Sequence, residues 1–188
     1  MTGGRMNKHG EKRLPRPLDS ARLEELALAY VARFATSAAK LEGYLARKLR
    51  ERGWEGEGAA PIATLVERFV RAGYVDDLAY ARAKSGSLLR RGYGQRRIGQ
   101  ALHAAGIDEQ VRDEVRVGKG EERRAALAMA RKRGFGPFGR GEPDRPQREK
   151  QIAAMLRAGH RLDSARELVN AATQEAALEW AGQGEEDE

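Results

Sequence analysis

The sequence predicts an all-α protein made of tandem three-helix repeats, about nine helices in an elongated, curved arrangement. Aromatic residues make up only 6% of the 188-residue chain, while Ala, Leu, Arg and Glu are abundant, a mix with high helix propensity and few β-branched strand formers. Apolar residues recur by threes and fours, which places them on helical stripes. The segments LARKLRERG (45–53), IGQALHAAG (98–106) and QIAAMLRAG (151–159) align without gaps. Each closes on a glycine, and Leu49, Leu102 or Met155 stands one turn inside the stop. Stacked repeats of this kind leave long exposed surfaces rather than a central pocket.

Residues 1–17 hold Arg5, Lys8, Lys12, Arg13 and Arg16 against the single acid Glu11 and read as a disordered basic arm. The first repeat is expected over 18–73. Leu23, Leu26, Ala27, Tyr30, Val31 and Phe34 form its first stripe, and Leu41, Tyr44, Leu45 and Leu49 form the second. Thr36 and Ser37 precede the second helix as capping hydroxyls and Gly53 ends it. Pro61 suits the first turn of a third helix that carries Ile62, Leu65, Val66, Phe69 and Val70 and stops before Gly73.

The second repeat is expected over 74–118. Asp76 and Asp77 supply acceptors and negative charge at a helix start, and Gly92-Tyr93-Gly94 breaks that helix. Ile98, Ala101, Leu102 and Ala105 form the next stripe, and Asp108 caps a short helix after it. The third repeat, 119–178, is interrupted by a flexible loop at GFGPFGRGEPDRP (134–146), and its last helix is expected to open on a Ser164/Glu167 capping box. An acidic tail is expected over 179–188.

The formal charge of +7 and pI near 9.9 favour a polyanionic or acidic partner. With no cysteine there are no disulfides or thiolate metal sites, which suits a reducing compartment. No apolar run approaches the ~20 residues that span a bilayer, and the start lacks the apolar segment of a secretory signal. A cytoplasmic protein without membrane attachment is therefore expected. His9, His103 and His160 are far apart, and none has a partner at metal-ligand spacing. GFGPFG follows a helix rather than a strand, so it lacks the context of a phosphate loop. The expectation is a non-enzyme with no catalytic residues, no metal and no cofactor.

Charge is the informative feature. From Leu78 to Ile107 there is no acidic residue, while Arg82, Lys84, Arg90, Arg91, Arg96 and Arg97 are all present and His103 is a possible further cation. Ordinary solvated helices interleave both signs. Arg90 and Arg91 end one helix, Tyr93 lies in the turn, and Arg96 and Arg97 open the next, forming a corner suited to carboxylates or phosphates. Arginines at a helix start oppose the dipole, so their placement needs either a function or a compensating acid from elsewhere. Asp76 and Asp77 read as a cap rather than a metal or acid-base pair. Tyr74 is expected to wedge between repeats, and Trp54 and Trp180, each after a helix end, read as packing lids.

GYVDDLAYARA (73–83) followed by RRGYGQRRIGQALHAAGI (90–107) resembles the central signature of the RecX family, and ALAYVARFATSAAKLEGYLARKLRERGW (27–54) resembles the family's first repeat. The likeness covers roughly residues 20–117, and 121–176 match more loosely because of the GPFGRGEPDRP insertion. The resemblance implies a protein that lodges in the groove of a RecA–DNA filament and modulates it, most often by inhibition, with no chemistry on a substrate. It makes Gly73, Tyr74, Asp76 and Asp77 a structural motif, and it makes the cationic corner with Tyr93 the partner-binding site. Weak binding to single- or double-stranded DNA and a monomeric state are also expected. Two other readings stay open: a stand-alone helical DNA-binding module, since an arginine-opened helix also describes helix-turn-helix readers, and a helical adaptor for an unrelated acidic protein.

Overall fold

The computed structural model describes residues 16–183. Most of the basic arm (1–15) and the end of the acidic tail (184–188) lie outside the described residues. Among the described residues there are ten α-helices, one more than the nine expected, and no strand. They gather around three hydrophobic clusters.

The first unit contains α1 (Ser20–Arg33), α2 (Ala38–Arg52) and α3 (Ile62–Arg71). Their stripes bury Leu23, Ala27, Leu41, Leu45, Leu65, Val66 and Phe69 in one core. Asp19 accepts from the Arg22 amide at 2.8 Å to cap α1, and Ser37 caps α2. Before α1 the chain runs beside the end of α2, where the Leu18 amide donates to the Gly53 carbonyl at 3.0 Å and the Glu55 amide donates to Leu18 at 2.8 Å. Leu18 is fully buried and Trp54 packs on the same core as a lid.

The second unit contains α4 (Asp77–Arg90), α5 (Gln95–His103) and α6 (Glu109–Glu114), built on Ala81, Leu88, Ile98, Leu102, Ala105 and Ile107. The third contains α7 (Lys119–Arg133), α8 (Arg145–Arg157), α9 (Leu162–Asn170) and α10 (Gln174–Gly182). Its core joins Ala126, Met129, Met155, Ala165, Leu168 and Val169. The tenth helix lies against α7 and is capped by Thr173, which accepts from the Ala176 amide at 3.2 Å. A terminal helix of this kind covers the last unit's otherwise open face.

Four expectations for the third unit change. The helix continues to Gly182, so residues 179–182 belong to α10 rather than to a tail, and Trp180 sits inside that helix. Trp180 nevertheless packs against the third core, as a lid would. Ser164 lies within α9, whose N-cap is Arg161, so it caps nothing; Asp163 instead accepts from the Ser164 amide at 2.8 Å. The capping box is at α8, where Asp144 accepts from Gln147 at 2.8 Å and Gln147 accepts from the Asp144 amide at 3.2 Å. The 134–146 loop is also anchored. It makes a 3-10 turn over Gly136–Phe138, with the Gly136 amide donating to Gln151 at 2.8 Å and Gln174 donating to the Pro137 carbonyl at 3.1 Å.

The units join by hydrogen bonds at the ends of their middle helices. At the first seam, the Ser37 hydroxyl at the start of α2 donates to the Ala105 carbonyl just past the end of α5, at 2.5 Å. At the second, the amides of Gly94 and Arg96 at the start of α5 donate to the carbonyls of Ala158 and Gly159 past the end of α8, at 3.0 and 3.2 Å. Thus α8 abuts α5 and α5 abuts α2, each carbonyl end meeting an amide end. The stop glycines make room for this: a Cβ on Gly106 would collide with Ala39, and one on Gly159 with the Arg97 backbone.

Candidate partner-binding surface

The segment Gly73–Asp77 is a junction device. Gly73, at φ +74, ends α3 in a Schellman turn, with its own amide on Val70 and the Tyr74 amide on Phe69 at 3.0 Å. The Tyr74 ring follows, its centroid 5.4 Å from that of Phe69. Tyr74 is 59% exposed, so it is not the wedge between repeats that the sequence suggested. Asp76 caps its own helix by accepting from Ala79 at 2.8 Å. Asp77 reaches across the first seam and accepts from the Ala38 amide in the first turn of α2, also at 2.8 Å. The two adjacent carboxylates therefore satisfy amides on two different helices, which accounts for both without a metal or acid-base role.

The wedge is Tyr93. It follows Gly92 (φ +81) in another Schellman turn, its amide on Leu88 at 3.0 Å, and its ring packs against both the second and the third cores. Gly92 fits directly onto the backbone of Met129 in α7, where a Cβ would come within 3.1 Å. The Gly92 carbonyl accepts from His160 Nε2 at 2.9 Å, which fixes that nitrogen as the protonated one because a carbonyl only accepts. His160 is buried, and burial lowers its pKa despite the bond to Gly92.

Around this turn the arginines separate into two classes. Arg82 is exposed yet paired with Glu114 of α6 at 2.9 Å, so the acid-free run finds one compensating carboxylate from a later helix. Arg90, Arg91, Arg96 and Arg97 are exposed and have no carboxylate partner among the described residues; Lys84 is half-buried and also has none. Arg91 lies over the Tyr93 ring at 5.3 Å. Arg96 and Arg97 stand in the first turn of α5, and it is carbonyls of the α8 terminus, not an acid, that meet that amide end. The partial negative charge there offsets the unfavourable placement of the two cations, leaving both guanidinium groups free toward solvent.

The seam also brings in cations that the sequence reading missed. A crevice of ≈ 110 Å³ lies between the α4–α5 turn and α7, lined by Arg91, Tyr93, Met129, Lys132 and Arg133 among others, with no acidic residue in its wall. Lys132 and Arg133 are three and four residues beyond Met129, so they share its face of α7. The basic run RKRG was visible in the sequence, but a cationic last turn is what the helix dipole alone favours. A larger cleft of ≈ 640 Å³ between α7, α9 and α10 mixes both signs, with Arg116, Lys119 and Arg161 facing Glu122, Asp163 and Glu167. There Arg161 pairs with Asp163 at 3.1 Å, Arg123 covers Trp180 at 5.1 Å, and burial raises the pKa of Glu122.

Among the described residues no group of three or more His, Asp or Glu side chains is placed to hold a metal ion, and no helix is long and apolar enough to cross a membrane.

Residues 76–115, from the cap of α4 to the end of α6, match the family described as RecX, second three-helix domain. A regulatory protein RecX from Myxococcus xanthus is 34% identical over 173 residues, covering 87% of this chain and 91% of the relative. Another, from Agrobacterium fabrum, is 31% identical over 141 residues, 73% of this chain and 76% of the relative. The crystal structure of RecX from Lactobacillus salivarius superposes with a TM-score of 0.65 at 17% identity, covering 85% of this chain and 97% of that one, which is a likeness of fold. The chain belongs to the RecX family of regulatory proteins.

Proposed function

We propose that this protein regulates RecA by lodging in the groove of a RecA–DNA filament, most often with inhibition of recombinase activity in DNA repair and recombination, and that it works in the bacterial cytoplasm without catalysing a reaction. The observation that carries the reading is the set of four exposed, carboxylate-free guanidinium groups, Arg90, Arg91, Arg96 and Arg97, held at a seam closed by backbone hydrogen bonds. Rigid placement lowers the entropy lost on docking, and guanidinium forks match the carboxylates and phosphates that a protein–DNA filament presents. Family membership supplies the regulatory context. Arg82, Lys84 and Tyr93 complete the surface, with Arg82 contributing less because of Glu114.

The stand-alone DNA-reader alternative requires the start of an arginine-opened helix to enter a groove. In α5 that start is pressed against Gly159, with no room even for a Cβ on Gly94, which favours the filament reading. The test is RecA ATPase and strand exchange in the presence of the variant with Arg90, Arg91, Arg96 and Arg97 all changed to Glu, with folding verified by circular dichroism. Loss of modulation is expected. Undiminished modulation by the folded variant removes this surface from the mechanism.

A further inference from the structure

Resting on that reading, the geometry points to the crevice between Arg91, Lys132 and Arg133 as a seat for one phosphate group of a nucleic-acid backbone, so that this part of the corner grips DNA rather than RecA carboxylates. Three features distinguish it from scattered surface charge. It is concave, ≈ 110 Å³, and none of its lining residues is acidic. Its cations come from two units, Arg91 from the cap of α4 and Lys132 and Arg133 from the last turn of α7, and none of the three has a carboxylate partner among the described residues. The walls are also held in place: Gly92 closes on the Met129 backbone, Tyr93 packs into both cores, and His160 holds the Gly92 carbonyl at 2.9 Å.

Each cation is individually explained as dipole compensation at a helix end. That account places charge near a helix axis, but it does not bring two helix ends to face one crevice with their cations on the shared side. The Tyr93 ring under Arg91 orients the guanidinium and leaves its edge donors for an oxygen acceptor. The two non-bridging oxygens of a phosphodiester accept over a broad cone about each P–O bond, whereas those of a carboxylate accept best within its own plane, so three cationic groups lining two walls suit the phosphate. Binding there would bridge the second and third units.

The experiment measures fluorescence anisotropy of a labelled single-stranded oligothymidylate with the full chain, without RecA, over a range of salt concentrations. Each phosphate contact contributes roughly 0.7 to the log–log salt slope for single strands. Changing Lys132→Gln together with Arg133→Gln should weaken binding at least fivefold and lower the slope, and Arg91→Gln alone should act in the same direction. Arg140→Gln, in the 134–146 segment outside the crevice, should leave both unchanged. The seat is overturned if the double variant binds with unaltered affinity and slope, or if it loses modulation of RecA while its DNA binding is intact, since the corner then meets protein. If DNA binding falls but modulation of RecA persists, the phosphate seat stands and it is the corner's role in regulation that fails.

Discussion

The amide of Gly94 donates to the carbonyl of Ala158 at 3.0 Å, and this bond together with its neighbour from Arg96 to Gly159 turns the second seam into a continuation of helix into helix. The start of α5 has no side-chain cap and no acid in its first turn. An isolated helix with that start, opened by two arginines, would leave its first amides unsatisfied. Here the carbonyls past α8 supply what a cap supplies elsewhere, and the side chains of Arg96 and Arg97 stay available. The same few atoms thus close the seam and hold the proposed docking surface in place.

That arrangement makes the N-cap glycine of α5 and the glycine in its interior behave oppositely. Gly94 has an ordinary φ of −85, but a Cβ there would collide with the Gly159 carbonyl, so Gly94→Ala should destabilise by about 1–3 kcal/mol through overpacking alone. Gly99, in the helix interior with nothing within 4 Å of its would-be Cβ, should gain about 0.5–1 kcal/mol as Gly99→Ala from helix propensity. Urea denaturation midpoints of the two variants should move in opposite directions. Equal shifts would mean that the seam is not closed as described.

Asp77 gives a second test, at the first seam. Removing its acceptor in Asp77→Ala strands the Ala38 amide and takes the acid from the first turn of α4, a loss of about 1–2 kcal/mol. Asp77→Asn keeps an acceptor and should lose less than half as much. Amide hydrogen exchange separates this role from that of Asp76: exchange at Ala38 should accelerate in Asp77→Ala and stay slow in Asp76→Ala, where the stranded amide is that of Ala79.

The helices were legible in the sequence because their causes are local. Apolar stripes, capping hydroxyls and glycine stops act within a turn or two, and the recurrence of Gly53, Gly106 and Gly159 exposed the repeat. The seams were not legible, because packing decides which groups meet across them: the second is made by amides and carbonyls that every residue carries, and the first by the Ser37 hydroxyl and the Asp77 carboxylate, whose partners lie on other helices. The sequence marks Asp77 as an acceptor without saying which helix it serves, and either Tyr74 or Tyr93 satisfies the description of an aromatic after a stop glycine; only the packing of α4 on α7 selects Tyr93. The capping box shows competition between local signals. Ser164 and Glu167 have the right spacing, but the turn that ends α8 at Gly159 delivers the chain to start α9 before Ser164. The functioning pair, Asp144 and Gln147, was hidden in a Gly- and Pro-rich stretch. Of the candidate surface, the exposed arginines were visible as an acid-free run, whereas Lys132 and Arg133 become neighbours of Arg91 only through tertiary contact.

His160 ties the second seam to pH. Its folded pKa lies below the ordinary value near 6.5 because burial disfavours the charged ring. The unfolded chain then binds more protons than the folded one as pH falls through that value, so stability is fully present above it and declines as pH drops toward the lowered folded pKa. Thermal midpoints should fall between about pH 7.5 and pH 5.5, and His160→Gln, which keeps a donor for Gly92, should flatten that fall. Glu122 acts in the opposite sense, since a raised carboxylate pKa stabilises the folded state toward low pH. The informative quantity is therefore the difference between the parent and His160→Gln profiles, and parallel profiles would show that the ring carries no linkage.

Arg82 and Arg91 are both exposed arginines on the second unit, and they should nonetheless differ in their effect on partner binding. Arg82 holds Glu114 at 2.9 Å, and a surface pair of this kind is worth about 0–1 kcal/mol. Engaging a partner would require it to leave or share that carboxylate, so Arg82→Gln should reduce affinity for RecA filaments by about twofold or less. Arg91 has no acid to leave, and its guanidinium is already oriented over Tyr93. Loss of one charge-assisted contact there is worth at least 1.5 kcal/mol, about tenfold in affinity, for Arg91→Gln. Co-sedimentation with filaments compares the two, and adding Glu114→Gln to the parent sharpens the test. Freed of its carboxylate, Arg82 should then strengthen binding, and an unchanged or weakened affinity would show that the Arg82 end of the acid-free run lies outside the contact.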